Sequence, residues 1–306
     1  MTAYVVGHKT PDTDSIVGAI TLAYLKTQLG EETIPVRQGV ITPETQFILD
    51  TFKLPEPILK TTFAGESIYI VDYSDRDQAP DDLDETTVLG IVDHHKLGDI
   101  TTSAPLECWI RPVGCSNTII KEMYDYHQVA IPAHIAGIMM CAILSDTVIF
   151  KSPTCTPIDI KVVEELAVIA GVDDYKALAI EMFKVKSAVD GTPARDLVLR
   201  DFKDFNMSGS KVGIGQLEAI DNSVFDAIKG DLFAELKNLK AEGERHTMML
   251  LLTDIMKEGS ELLIVSDDET LANRAFNVTP VEGKAWLEGV LSRKKQIIPP
   301  MEKAFA

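Results

Sequence analysis

Short apolar stretches rich in β-branched or aromatic residues recur through the first half of the chain, at residues 3–7, 33–37, 67–71, 88–92 and 107–110. Helix-periodic stretches lie between several of them, and such alternation predicts a parallel sheet covered on both faces. After Pro132 the pattern turns helical, over 133–144, 158–170 and 174–186. A new sheet is expected to begin at Lys211, with strands over 212–219, 248–255 and 261–265 and one charged helix over about 223–242. Between these halves, Ser187-Ala-Val-Asp-Gly-Thr-Pro193 breaks the periodicity with Gly and Pro. The expected organisation is therefore α/β throughout: a parallel-sheet domain over 1–187, a linker over 188–193 and a smaller mixed α/β domain over 194–306. The polar run 292–296, ahead of Pro299-Pro300, reads as a tail. No solenoid-period repeat or low-complexity tract interrupts this plan.

Composition narrows the function classes. At 45% hydrophobic and 25% charged, 306 residues can bury a substantial core, so a disordered or fibrous chain is excluded. Lys+Arg 29 against Asp+Glu 47 gives −18, a field that repels nucleic acid and anionic membrane. A polyanionic substrate would have to be met by local cations or metals. Cys108, Cys115, Cys141 and Cys155 form no CxxC pair, and the sequence opens on strand-like MTAYVVG without a basic, apolar leader, which predicts a reducing cytoplasm. The longest apolar run, 135–144, falls well short of the roughly 20 residues of a spanning helix.

The chemistry collects where the strands of the first half end. The first runs into Gly7-His8-Lys9-Thr10-Pro11-Asp12-Thr13-Asp14-Ser15, the third ends at Asp72 and the fourth ends in Asp93-His94-His95. In an open α/β sheet, ligands bind outside the carboxyl ends of the strands, so these side chains are expected in one crevice. Asp146, following an apolar helix, is a fourth contributor. Taken singly, Asp14 is a good helix cap, Asp72 a turn residue and His94-His95 a core pair; together they point to a metal site. Two imidazoles with several carboxylates suit Mn²⁺, Co²⁺ or Zn²⁺ better than an all-oxygen Ca²⁺ or Mg²⁺ cage. His8, Asp12, Asp14, Asp72, His94 and Asp146 exceed the needs of one ion, and a shared carboxylate is the usual two-metal arrangement for phosphoryl hydrolysis. Asp72 is the candidate bridge.

With GHKTPDTDS near the amino end, an Asp closing a middle strand, VDHHK, SDT at 145–147 and SRKKQ at 292–296, the chain resembles the DHH phosphoesterase superfamily. GHxxPDTDS together with SRKKQ resembles the manganese-dependent (family II) inorganic pyrophosphatases in particular. The resemblance implies two domains with the metals on the first, an active site in the cleft between them, and a cytoplasmic homodimer. It implies that His8, Asp12 and Asp72 hold one Mn²⁺ and that Asp14, Asp72, His94 and Asp146 hold a second, with Co²⁺ as an alternative and further Mg²⁺ or Mn²⁺ arriving with pyrophosphate. It makes His95 the catalytic proton donor or phosphate contact, and Lys203, Arg293 and Lys294 the substrate cations, with Lys211 as the rival to Lys203. The chain departs from the family after the bridging Asp, where Tyr73-Ser74-Asp75 replaces a His-Asn-Glu stretch. Such a change touches the groups that tune metal affinity.

The expected activity is hydrolysis of pyrophosphate to two orthophosphates by a two-metal-activated hydroxide. The rivals are an exopolyphosphatase or another DHH phosphoesterase, and a non-catalytic metal or phosphate sensor. The chain has no Gly-Gly pair, so the glycine-rich motif common in nucleic-acid-acting relatives is missing. It also lacks the GxSxG elbow of a serine hydrolase and the GxGxxG of a dinucleotide site.

Overall fold

The computed structural model describes residues 2–189 and 191–306. Asp190, inside the expected linker, lies outside the described residues. The chain divides into two compact units, 1–182 and 183–306.

The first unit runs β1 (Ala3–Val6), α1 (Thr13–Gln28), β2 (Thr33–Arg37), α2 (Pro43–Thr51), β3 (Ile58–Leu59), β4 (Ser67–Val71), β5 (Thr87–Asp93), β6 (Glu107–Ile110), α3 (Ser116–His127), α4 (Ala133–Asp146) and α5 (Pro157–Ala170), and α6 (Tyr175–Lys186) crosses into the second. Among the described residues its sheet has the order β3-β2-β1-β4-β5-β6, every pair parallel. The order reverses direction at β1 and β4, which is where an α/β sheet opens a crevice. β4 is buried along its whole length, and α4 is buried without a break from Ile135 to Ser145. The apolar run of the sequence is thus a core helix. No helix among the described residues is long and apolar enough to cross a membrane.

β1 enters α1 through a tight approach: a side chain at Gly7 would sit 1.9 Å from Ser15 Oγ, and the His8 N–H donates to that same oxygen at 3.0 Å. Only glycine lets the strand end press against the helix start. Asp12 then caps α1 by accepting from the Ser15 N–H at 3.0 Å.

The second unit continues with α7 (Ala194–Leu199), β7 (Phe202–Met207), β8 (Ser210–Ala219), α8 (Lys229–Glu242), β9 (Thr247–Asp254), β10 (Gly259–Ser266), α9 (Leu271–Phe276), β11 (Lys284–Glu288) and α10 (Ile298–Phe305). Among the described residues the sheet order is β11-β10-β9-β8-β7, antiparallel except between β8 and β9. β9 is buried on both faces: Met248, Leu250 and Leu252 join one apolar cluster with α7 and α8, while Met249 and Leu251 join another with α9 and α10.

The structure corrects the sequence reading here in three places. The sheet starts at β7 rather than at Lys211, so Lys203 lies on an edge strand. The charged helix is split, with a 3₁₀ turn at Asn222–Phe225 before α8. Finally, 292–296 is no tail: Arg293–Ile297 form a π-helical turn, capped by Ser292 and anchored by buried Ile297. Pro299 and Pro300 open α10, where a missing N–H costs nothing.

Candidate metal centre

His8 follows β1, Asp12 and Asp14 open α1, Asp72 follows β4, His94 and His95 follow β5, and Asp146 ends α4. The structure brings all of them together in the first unit. His8 Nε2 lies 3.6 Å from Asp12 Oδ2 and 3.3 Å from Asp72 Oδ2. His94 Nε2 lies 3.4 Å from Asp72 Oδ1, 3.9 Å from Asp146 Oδ2 and 4.0 Å from Asp14 Oδ2. The two oxygens of Asp72 therefore face the two imidazoles, one each. Lys203, Arg293 and Lys294 belong to the second unit.

Backbone geometry aims these groups. The Asp72 N–H still bonds to the Val92 carbonyl at 2.9 Å, but the residue itself sits at φ +69°, a left-handed conformation that costs a non-glycine residue about 1–2 kcal/mol. Strand β4 ends there, and the chain turns its carboxylate inward. Tyr73 then enters the apolar cluster of Val6, Ile70 and Ile91, while Ser74 accepts from the Gly98 N–H at 3.0 Å and donates to the Lys96 carbonyl at 3.3 Å. The departure at 73–75 thus packs the core and pins the loop after His95.

Several partners of these side chains are invisible to motif reading. The His94 Nδ1–H donates to the Val113 carbonyl at 3.1 Å, which aims Nε2 at the carboxylates. Asp93 Oδ1 accepts from His95 Nδ1 at 2.9 Å and from the His95 N–H at 3.0 Å, fixing that ring with Nε2 outward. Asp14 sits at the amino end of α3, accepting from the N–H groups of Ser116 at 2.8 Å and Asn117 at 3.2 Å, from Asn117 Nδ2 at 2.6 Å and from the Cys115 thiol at 2.8 Å. Burial, then the Asp14 and Asp146 carboxylates, push the Cys115 thiol well up, so it stays a donor rather than a thiolate. Asp93 was legible as part of the DHH triplet; Cys115 and Asn117 carried no sequence signal of their own.

Among the described residues, three groups of potential ligands have donor atoms within 4.8 Å of one another: His8, Asp12 and Asp72; Asp72, His94 and His95; Asp14, Cys115 and Asp146. His8 Nδ1 and Asp72 Oδ2 are buried with no hydrogen-bond partner. A buried carboxylate oxygen that makes no hydrogen bond is costly, and a divalent cation would satisfy it. The residues fit manganese: nitrogen and oxygen donors, with the nearby thiol protonated.

The electrostatics agree. Burial pushes the His8 imidazole down, but Asp12 and Asp72 outweigh it and lift it to about 10. Burial likewise pushes Asp72 up, and His8 and His94 hold it well below the carboxylate range. Burial, then Asp72, lift Asp14 to about 6. A cation that took His8 as a ligand at neutral pH would therefore have to displace a proton from it. Mn²⁺ binding is expected to release about one proton near pH 7 and to tighten up to about tenfold per pH unit below the His8 value. Calorimetry in buffers of different ionisation heats measures that proton, and a count of zero would contradict the pairing of His8 with the centre.

The fold and this cluster define a metal-dependent phosphoesterase of the DHH class: residues 2–143 match the DHH family, N-terminal domain, and residues 180–304 match the DHHA2 domain. The chain is 47% identical to the probable manganese-dependent inorganic pyrophosphatase of Archaeoglobus fulgidus, covering 99% of this chain and 98% of that one. It is 43% identical to the manganese-dependent inorganic pyrophosphatase of Methanocaldococcus jannaschii, covering 99% of both. A crystal structure of a Methanococcus jannaschii family II inorganic pyrophosphatase superposes with a TM-score of 0.88 at 41% identity over 99% of each chain. The chain belongs to the manganese-dependent (family II) inorganic pyrophosphatases. An exopolyphosphatase-related protein from Bacteroides fragilis, 15% identical with a TM-score of 0.52, shares the fold alone.

Proposed function

We propose that the chain cleaves inorganic pyrophosphate to two orthophosphates with two Mn²⁺ per subunit, one held by His8, Asp12 and Asp72 and the other by Asp14, Asp72, His94 and Asp146. The observation that carries this is Asp72, with one carboxylate oxygen toward each imidazole. Bound divalent ions supply a water acidified toward neutrality and stabilise charge on the transferred phosphoryl group, with Co²⁺ able to serve and further Mg²⁺ or Mn²⁺ entering with the substrate. Four ligand carboxylates balance two such ions, so the phosphates need other cations. His95, oriented by Asp93 and partly exposed, donates a proton or hydrogen bond to the substrate.

Lys203, Arg293 and Lys294 are the cations we assign to the phosphates. Arg293 donates to the Asp201 carbonyl at 2.7 Å, to Asp201 Oδ1 at 2.6 Å and to the Ile214 carbonyl at 3.1 Å. Ile214 is the register partner of Lys203, so Lys203 and Arg293 share one end of the β7–β8 hairpin. Lys211 lies toward the other end of the hairpin, which favours Lys203 over it. Arg293→Ala and Lys294→Ala are each expected to raise KM and cut kcat/KM by about 30-fold or more with Mn²⁺ affinity unchanged, since a truncated charge-assisted phosphate contact costs about 2–5 kcal/mol. Steady-state kinetics within twofold of the parent would return this turn to a solvated basic surface.

A cytoplasmic homodimer completes the reading, and the four unpaired cysteines suit a reducing compartment. Orthophosphate release from pyrophosphate, tripolyphosphate, long polyphosphate and a dinucleotide, each with Mn²⁺, Co²⁺, Mg²⁺ and Zn²⁺, tests the whole proposal. Pyrophosphate with Mn²⁺ should lead. Preference for long polyphosphate would make it an exopolyphosphatase, and no turnover a sensor.

A further inference from the structure

We infer that Glu44 is a positioning residue that locks the helix ends carrying Asp12, Asp14 and Asp146 to one another, an assignment that rests on the ligand set proposed above. Glu44 is in the first turn of α2 and only 4% exposed. Its Oε2 accepts from Thr13 Oγ1 at 2.8 Å, and both its oxygens lie 3.0 Å from Ser145 Oγ. Thr13 sits between Asp12 and Asp14 at the start of α1; Ser145 immediately precedes Asp146 at the end of α4. One buried carboxylate thus ties together the starting turn of one ligand-bearing helix and the last turn of the other.

Apolar packing alone would not hold that register. α1 and α4 meet through buried aliphatic side chains, and such contacts tolerate small sliding and rotation between helices. Metal ligation tolerates only a few tenths of an ångström. Hydrogen bonds are short and directional, so those to the Glu44 carboxyl group supply the missing constraint. The surrounding hydroxyls share in it. Thr13 spends its single proton on Glu44, so it accepts from Thr45 at 2.9 Å, and Thr45 in turn accepts from Thr42 at 3.0 Å. The carboxylate at the end of this row sets the direction of every proton in it, and Thr42 and Thr45 fasten it to the first turn of α2. Burying a carboxylate is expensive, and an apolar side chain would fill the space without that cost. Retaining a buried polar group here fits a demand for geometry.

The test compares Glu44→Gln, Ser145→Ala and the double variant with Leu25→Ala, a buried position in the last turn of α1, about three turns from Asp14. Free Mn²⁺ is followed by electron paramagnetic resonance during titration, alongside thermal unfolding of the metal-free protein and kinetics at saturating Mn²⁺. Glu44→Gln is expected to weaken the weaker Mn²⁺ site at least tenfold and to lower kcat, with KM for pyrophosphate within twofold. Ser145→Ala should weaken it about threefold and add little in the double variant. Leu25→Ala should lower the melting temperature and leave Mn²⁺ affinity alone. Mn²⁺ affinity within threefold of the parent in Glu44→Gln, or an equal loss in Leu25→Ala, would overturn the inference. Should Glu44→Gln fail to fold, Ser145→Ala decides: an unchanged Mn²⁺ affinity overturns it, a threefold loss sustains it. Parental Mn²⁺ binding in Asp146→Asn would overturn the ligand assignment itself and this inference with it, an outcome separate from parental binding in Glu44→Gln.

Discussion

Asp72→Asn is expected to cut kcat/KM by at least about a thousandfold and to loosen Mn²⁺ by two to three orders of magnitude. The carboxylate is buried, and its two oxygens face His8 at 3.3 Å and His94 at 3.4 Å, so it is placed to contribute to both ligand groups at once. An amide keeps the shape and removes the charge. Breaking a buried ionic arrangement by deleting one partner costs about 3–5 kcal/mol, which corresponds to about two to nearly four decades in an equilibrium constant. The loss should appear in metal content, measured after gel filtration, as well as in turnover. Near-parental turnover with full metal content would remove Asp72 from the bridging position.

His94→Gln and His95→Gln are expected to separate. The His94 ring is held by the Val113 carbonyl with its other nitrogen among three carboxylates, and its side chain is 8% exposed; the His95 ring is held by Asp93 and is 28% exposed. Consecutive residues leave a strand end in different directions, and these two rings stand nearly perpendicular, at 79°. His94→Gln should therefore lose Mn²⁺, with activity partly restored at high metal concentration. His95→Gln should retain Mn²⁺ and lose about 10²–10⁴-fold in kcat, the usual contribution of a positioned proton donor. Equal metal loss in both variants would mean that the pair acts as one ligand unit.

How much of this was legible in the sequence follows from where each signal is written. A parallel strand buried on both faces is a continuous apolar run, as β4 is and β1 and β5 nearly are, whereas the less buried β2 and β6 stand out by their β-branched or aromatic residues. The edge strands β7, FKDFNM, and β11, KAWLE, are short, largely unburied and mix charged with apolar residues, so they pass for loops or turns beside β9. The break before α8 has no Pro or Gly until Gly230, so the helical pattern runs through it. The proposed ligands were legible because strand ends deliver them at recurrent topological positions. The groups that hold the ligands were not. Glu44, Val113, Cys115 and Asn117 each reach the centre from a segment with no motif, and only the folded sheet makes them neighbours.

The proposed ligands are drawn from His8 at one end to Asp146 at the other, through five separate elements. An unfolded chain keeps only His8, Asp12 and Asp14 near one another, so Mn²⁺ binds the folded form almost exclusively. By mass action, free metal at a hundredfold excess over its dissociation constant adds about 2.7 kcal/mol per site to the stability of the fold. A difference of that size changes the steady-state fraction of open chain about a hundredfold, and open chain is what cellular proteases consume. On that ligand set, manganese supply is expected to set how long each copy of the protein survives as well as how fast it turns over.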